Sequence, residues 1–458
     1  MYLTEDLEMT IHANDMASPG RRTENVRSQS EIELADLASR CMPAGTFGNI
    51  PEPVVISRGA GARVWDESGN EYIDYLLGSG PMLIGHCHPE VNAAISDQLT
   101  RGTTFFANNP QGIRLAAAIA DAVPCAEKVR FVCSGTEADF YAMRLARAYR
   151  KRDKILKFEG GYHGMSDYGL MSLMPTEDVP FPEPIPDSPG IPDSIQADIA
   201  VLPFNDIDLM RRFIREHHDE LAAVIVEPFQ RLIAPRDGFL EALREVTAET
   251  GVVLIFDEVV TGFRFSYGGA QAYFGVTPDL CTLGKACGGG FPLAAIAGRA
   301  DIMDLFDRSK VGDERFLVQL GTLSGNPMAA AAGLATLNVL RQPGTYEKFF
   351  ATGRKLMDTL NEMLQRADLP AQVLGAEPLF DVIFHRDEIR NYRDTVSGDA
   401  WLTGTFNALL RQRGIFKGDT KYYVSTALGE TEISQTIDVW ASAIEALKHA
   451  MKSRPADS

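Results

Sequence analysis

From about residue 90 the chain alternates between two apolar rhythms. Residues 91–99 and 113–122 carry apolar side chains at helical spacing, 129–133 is a short apolar run, and 138–150 is helical again, with Ala138, Tyr141, Ala142, Leu145 and Ala148 on one face. Further short apolar runs at 155–158, 222–226, 252–256 and 280–283 are separated by helical stretches such as 209–217 and 240–249. Strands that are almost wholly apolar, alternating with helices, predict an α/β fold with a mainly parallel sheet covered on both faces. Upstream, residues 1–29 are polar without period and read as an arm. Ser30 and Glu33 have capping-box spacing and predict a short helix ending near Met42-Pro43. Short strands are predicted at 54–56, 63–65 and 72–76, with a hairpin turn at 66–70. Seven prolines between 175 and 192 exclude a regular element and predict a long surface loop of the kind that serves as a lid. A charged insert at 307–316 also breaks the rhythm. After residue 330 helices are expected at 329–340 and 346–367, strands at 379–385 and 422–426, and a last helix through Ile433, Trp440, Ile444 and Met451. The expected organisation is an arm (1–29), an N-terminal segment packing with the small domain (30–85), a large domain (86–330) and a small α+β domain (331–458).

Composition narrows the function classes. A chain of 458 residues with 45% hydrophobic and 23% charged residues is ordinary for a globular protein of more than one domain. Its 44 basic and 62 acidic residues leave a net charge of −18, which argues against nucleic acid or an anionic membrane as partner. No apolar run is long enough to span a bilayer, and no signal peptide is expected. Six cysteines without a C-x-x-C pair read as reduced thiols, so the expected location is cytoplasmic. His86 and His88, one residue apart without a carboxylate pair, do not form a metal-ligand pattern, and no metal is expected. Glycines 59–61 and 288–290 lack the strand-G-x-G-x-x-G-helix context of a dinucleotide site.

The chemistry-bearing residues fall just after predicted strands, where open α/β sheets bind ligands. Ser134-Gly135-Thr136 follows 129–133 and opens a helix; small residues at a helix start make either an anion cradle or a plain N-cap. Glycines 160 and 161 with Tyr162 follow 155–158, and Glu227 follows 222–226. Asp257 follows 252–256, and Lys285 follows 280–283. A lysine and an aspartate at neighbouring strand ends suit pyridoxal phosphate: the lysine forms an imine with the aldehyde and the aspartate keeps the ring nitrogen protonated.

Together with Gly268-Gly-Ala-Gln271, Pro278-Asp-Leu280, Gly288-Gly-Gly290 and Gly321-Thr-Leu-Ser-Gly-Asn-Pro327, these segments resemble the class III, fold type I, pyridoxal-phosphate-dependent aminotransferases over roughly residues 30 to 450, in the branch similar to glutamate-1-semialdehyde aminomutase. The resemblance implies pyridoxal 5'-phosphate as cofactor and Lys285 and Asp257 as catalytic residues. It implies ring contacts from Tyr162 and Val259, a phosphate cradle of Ser134, Gly135 and Thr136, and Glu227 near the cofactor. Thr322 matches a threonine that reaches the phosphate of the neighbouring subunit, which implies a homodimer with shared sites. The sequence departs from the aminomutase pattern at Ser79, where that pattern has tryptophan, in Phe229-Gln-Arg231-Leu, and in a shorter segment around Lys417. Ser79, Phe229, Arg231 and Lys417 are therefore the candidate substrate residues, and the expected reaction is amino transfer from an amine or amino acid donor to an oxo acid or aldehyde acceptor. An intramolecular aminomutase is the alternative, then a racemase. A cofactor sensor fused to a DNA-binding domain does not suit the short polar N-terminus or the charge. Arg264 could touch the substrate but reads first as half of a structural ion pair.

Overall fold

The computed structural model describes residues 27–50, 54–175 and 177–454. Its strands are β1 Ile56–Ala60, β2 Arg63–Asp66, β3 Glu71–Asp74, β4 Lys128–Val132, β5 Lys154–Phe158, β6 Ile199–Leu202, β7 Leu221–Val226, β8 Val253–Glu258, β9 Leu280–Leu283, β10 Ala294–Gly298, β11 Gln372–Ala376, β12 Leu379–Ile383, β13 Ile415–Phe416 and β14 Tyr422–Tyr423. Seven of them form the large sheet in the order β4-β10-β9-β8-β7-β5-β6. β10 pairs antiparallel with both β4 and β9, while the β9-β8, β8-β7, β7-β5 and β5-β6 pairs are parallel. Six strands therefore point one way, and their carboxyl ends share one edge. The central strands β7 and β8 are buried along their whole length, as expected of a sheet with helices on both faces.

Two smaller sheets complete the molecule. β11, β12 and β14 are antiparallel, and β1-β2-β3 is extended by β13, which pairs parallel with β3 (Ile415 against Ile73). The N-terminal hairpin is thus joined to the C-terminal third by backbone hydrogen bonds. The helix Glu430–Lys452 packs onto this region through Trp440, whose indole N–H donates to the Tyr422 hydroxyl (3.0 Å).

Several sequence expectations are revised. The first helix, Gln29–Cys41, is capped by Ser28, whose hydroxyl accepts from the Glu31 N–H; Ser30 lies inside the helix. The alanine-rich β10 and the four-residue β6 were not anticipated, because four or five small apolar residues carry no readable period. The proline-rich segment is an irregular loop, as expected, but it is strapped down: Ser172 and Ile185 exchange hydrogen bonds, the Val201 N–H donates to Pro182 O, and the Asp187 carboxylate accepts from the Leu173 and Met174 N–H groups. Of the polar arm, only residues 27–29 lie within the described residues.

Candidate active site

The shared strand edge gathers the expected residues. Lys285 begins the short turn Lys285–Gly288 immediately after β9 and Gly284, half-buried, with φ +47°. Such a backbone conformation is costly for a residue with a Cβ and is held by its surroundings. Asp257 is the fifth residue of the adjacent β8 and is buried. Val259, two residues on, fills the space beside two glycines: a Cβ on Gly135 or on Gly284 would come within 3.0 Å of its side chain. The absence of side chains at 135 and 284 is thus what lets the cradle and the lysine turn close around Val259.

The cradle is the start of the helix Gly135–Arg150. Ser134 is its N-cap and its Oγ accepts from the Glu137 N–H. By their position in the first turn, the Gly135 and Thr136 N–H groups have no intrahelical acceptor, and the helix dipole favours an anion there. Thr136 Oγ1 accepts from the Met165 N–H (3.2 Å), and a Cβ on Gly164 would collide with Thr136. The glycine turn after β5 is therefore locked against the cradle, and it presents Tyr162. The buried carboxylate of Glu227 fixes this turn from the other side by accepting the Tyr162 N–H at 2.8 Å.

A chain of hydrogen bonds runs through Asp257 that sequence reasoning missed. His163 Nδ1–H donates to Asp257 Oδ2 (2.8 Å), and the Val259 N–H reaches Oδ1 (3.1 Å). Thr282 Oγ1 lies 2.6 Å from Asp139 Oδ1 and 3.4 Å from Asp257 Oδ1. Burial pushes the Asp139 carboxyl well above the usual carboxylate range, and the nearby Asp257 adds to it. An Asp139 that keeps its proton donates to Thr282, leaving the single hydroxyl proton of Thr282 for Asp257. Asp139 and Thr282 lie one turn into the cradle helix and in mid-strand, positions that read as core. His163 stood inside the G-G-Y-H-G signature but carried no role of its own.

The candidate substrate residues separate. Ser79 is exposed on the loop after β3, at φ +65°. Phe229 is buried, packed edge-tilted on Phe265 (5.0 Å) in a cluster with Leu77, Leu232 and Tyr423, so it forms a wall behind the site. Arg231 is half-buried at the tip of the 230–233 turn, its guanidinium 6.0 Å from the Tyr162 ring centre. Lys417 is withdrawn: its ammonium is buried against Asp381 (2.8 Å) and Gly418 O. Four residues on, Lys421 is half-buried beside Tyr423. Burial pushes the Tyr423 phenol up, but Lys421, Lys285 and Arg264 together hold it below the ordinary tyrosine value. Arg264 is not half of an ion pair: its buried guanidinium donates to Pro378 O, Val424 O and Gly80 O. Those bonds hold Gly80 where a Cβ would come within 3.4 Å of Lys285 Cδ and 3.0 Å of the Tyr423 ring. His86, considered above for metal binding, pairs with the Asp74 carboxylate (2.7 Å).

Thr322 is exposed on the loop after residue 317, among Val318, Leu320 and Leu323, which are exposed as well. This loop and residues 104–109, which include exposed Phe105 and Phe106, line a hollow of about 420 Å³.

An anion cradle without side-chain bulk, an aromatic on an adjacent turn, a buried carboxylate and a lysine at one sheet edge fit a phosphorylated pyridine aldehyde, the arrangement of fold type I pyridoxal-phosphate transferases. The class-III aminotransferase family model matches residues 47–420, and the chain belongs to that family. It is similar to an omega-transaminase from Sphaerobacter thermophilus (36% identity, 92% of this chain and 98% of the other, TM-score 0.87). It is also similar to a beta-phenylalanine aminotransferase from Variovorax paradoxus (31%, 92% and 94%, TM-score 0.82). A glutamate-1-semialdehyde aminomutase from Pseudomonas aeruginosa PAO1 shares the fold at 23% identity (91% and 94%, TM-score 0.82).

Proposed function

We infer that this class III aminotransferase uses pyridoxal 5'-phosphate, held covalently by Lys285, to move an amino group from an amine or amino acid to a separate oxo acceptor. The observation that carries the reading is the convergence of Lys285, Asp257 and the Ser134-Gly135-Thr136 helix start on one sheet edge. When bound, the cofactor supplies an electron sink for the carbon that carries the transferring amine. Asp257, fixed by His163, the Val259 N–H and Thr282, holds a proton on the pyridine nitrogen. With its bond to the cofactor exchanged for that of the incoming amine, Lys285 Nζ would be free to take the proton from the amine-bearing carbon and to return it as acid. Tyr162 and Val259 orient the ring, Glu227 sets the Tyr162 turn, and the cradle anchors the phosphate. Ser79, Arg231 and Phe229 belong to the substrate side, Phe229 as its apolar backing.

Thr322 is assigned to the partner's cofactor in a homodimer, which would cover the exposed Phe105, Phe106, Leu320 and Leu323. Six free thiols, three of them buried, support a reducing, cytoplasmic setting. Transfer is favoured over the mutase reaction by the family match, by relatives above 30% identity that are transaminases, and by Ser79 and the short 416–423 segment, where the chain leaves the aminomutase pattern. The test is to convert the enzyme to its amine-loaded form and offer a panel of oxo acids and aldehydes. Amine appearing on a separate acceptor is expected; isomerisation of a diamino or amino-aldehyde substrate with no second acceptor would contradict it.

A further inference from the structure

Gln230 and His163 are both 1% exposed, and each keeps one buried polar atom without a partner among the described residues: Gln230 Oε1 and His163 Nε2. Such atoms are costly and few in folded proteins. The opposite end of each side chain is already committed. Gln230 Nε2 donates to Glu159 O at 2.7 Å. A carbonyl can only accept, so the amide oxygen is the end left over. The Gln230 backbone is pinned by reciprocal bonds with Ile233 (3.1 and 2.8 Å), and the Glu159 carboxylate is held bidentately by Arg393 (2.9 Å each). On the other side, His163 Nδ1 faces Asp257 Oδ2 at 2.8 Å. A carboxylate accepts there, so Nδ1 carries the hydrogen, and Nε2 of the neutral ring is an acceptor.

The two leftover acceptors face one space, the space that a side chain at residue 161 would enter. A Cβ on Gly161 would stand 3.0 Å from His163 Nε2 and 3.5 Å from Gln230 Oε1. It would also meet Phe158 O at 2.9 Å, the carbonyl that accepts the Gly161 N–H. Two acceptors cannot bond to each other, so moving the side chains together would satisfy neither. One water can satisfy both, because it brings two O–H groups. A hydrogen bond donated to Nε2 leaves no room for a hydrogen on that nitrogen. The ring is then kept in the tautomer that donates to Asp257. In the other tautomer the bare Nδ1 would face the Asp257 carboxylate, acceptor against acceptor, and the carboxylate would lose its aim.

We propose that Gln230 is a positioning residue: with His163 it holds one buried water, and that water fixes the His163 tautomer that aims Asp257, a role that rests on the reading of Asp257 and Lys285 given above. Gln230 lies in the 229–232 segment, where the chain departs from the aminomutase pattern. Its neighbours Phe229 and Arg231 were assigned to the substrate side, whereas the Gln230 side chain turns back to the start of the Tyr162 turn.

The first test is for the water itself. Crystals of the holoenzyme diffracting to about 2 Å or better should show one density peak within hydrogen-bond distance of both His163 Nε2 and Gln230 Oε1. Crystals of Gln230→Met should lack that bridge. The second test reads the role in Gln230→Met and in Gln230→Leu, which differ in shape but both remove the oxygen. The pH midpoint of the cofactor absorbance should rise in both by about half a unit, roughly threefold in proton affinity. A ring nitrogen held less firmly in its protonated form draws less charge from the Lys285 nitrogen, which then keeps its own proton to higher pH. Turnover should fall about threefold in kcat with KM kept, since Asp257 acts on the cofactor and not on the substrate. Wild-type density without the bridging peak would overturn the water. An unchanged midpoint in both variants, even alongside a lowered melting temperature, would overturn the positioning role. If the holoenzyme shows no pH-dependent cofactor band at all, the reading of Lys285 fails, and the wild-type density still decides whether Gln230 and His163 hold the water.

Discussion

In the proposed reaction Asp257 would serve only while its carboxylate is aimed, and four neighbours aim it. His163 and the Val259 N–H donate to it directly, and Asp139 acts through Thr282. If Asp139 is the proton-bearing partner, an amide can replace it. Asp139→Asn, whose N–H donates where the acid O–H did, should keep turnover within about threefold, whereas Thr282→Val, which leaves Asp257 short of a donor, should lose about tenfold, the worth of one such hydrogen bond. The pH profile of the cofactor absorbance should shift in the valine variant and not in the asparagine one. Equal damage from both would contradict the relay. At this scale the sequence was partly legible. The places of Lys285, Asp257, Tyr162 and the cradle at the sheet edge could be read because each closely follows an apolar run. Asp139, Thr282 and Lys421 could not. The first two lie where a helix or strand interior reads as core, and Lys417 and Lys421 are equivalent in sequence until the fold gives Asp381 to one of them.

Among the elements, β5 and the turn after it decide where Tyr162 and His163 sit. Lys157 in β5 is buried and donates to Gly169 O (2.9 Å) and Met171 O (2.6 Å), tying the segment beyond His163 to the sheet. Burial lowers its ammonium to about 8 from 10.5. Between those values the folded chain has shed a proton that the unfolded chain still holds. Its contribution to stability therefore rises with pH through that window and is lowest below about pH 8. Relative to Lys157→Met, the wild type should gain about 2 kcal/mol between about pH 8 and about pH 10, at 1.36 kcal/mol per unit, measured as the difference in urea unfolding free energy. A pH-independent difference would contradict it. The parallel sheet was readable from periodicity alone, but the strapping of the proline-rich loop was not. Ser172 and Asp187, beside and within the loop, anchor it through bonds that carry no period, and Arg393, which donates to Val179 O, comes from a distant part of the chain. The alanine-rich β10 also escaped, because its place is set by β4 and β9 and not by its own propensity.

At the scale of the whole molecule, the proposed homodimer would bring two strand-edge sites together. A chain of 50.2 kDa should run at about twice that mass by light scattering. If Thr322 serves the partner's phosphate, Thr322→Val should weaken cofactor binding about tenfold, the worth of one charge-assisted hydrogen bond. Mixing it with Lys285→Ala should then regenerate one intact site per mixed dimer. At limiting cofactor, activity above that of either parent is expected; no gain on mixing would place Thr322 outside the neighbour's site. The helix-start cradle, the relay through Asp257 and the proposed dimer would all serve Lys285, so the most direct measurement is on that residue. The holoenzyme is reduced with borohydride, digested and mapped by mass spectrometry. The account predicts the reduced cofactor on the peptide carrying Lys285 and none in Lys285→Ala; label on any other lysine of the wild type, or equal labelling of the alanine variant, would contradict it.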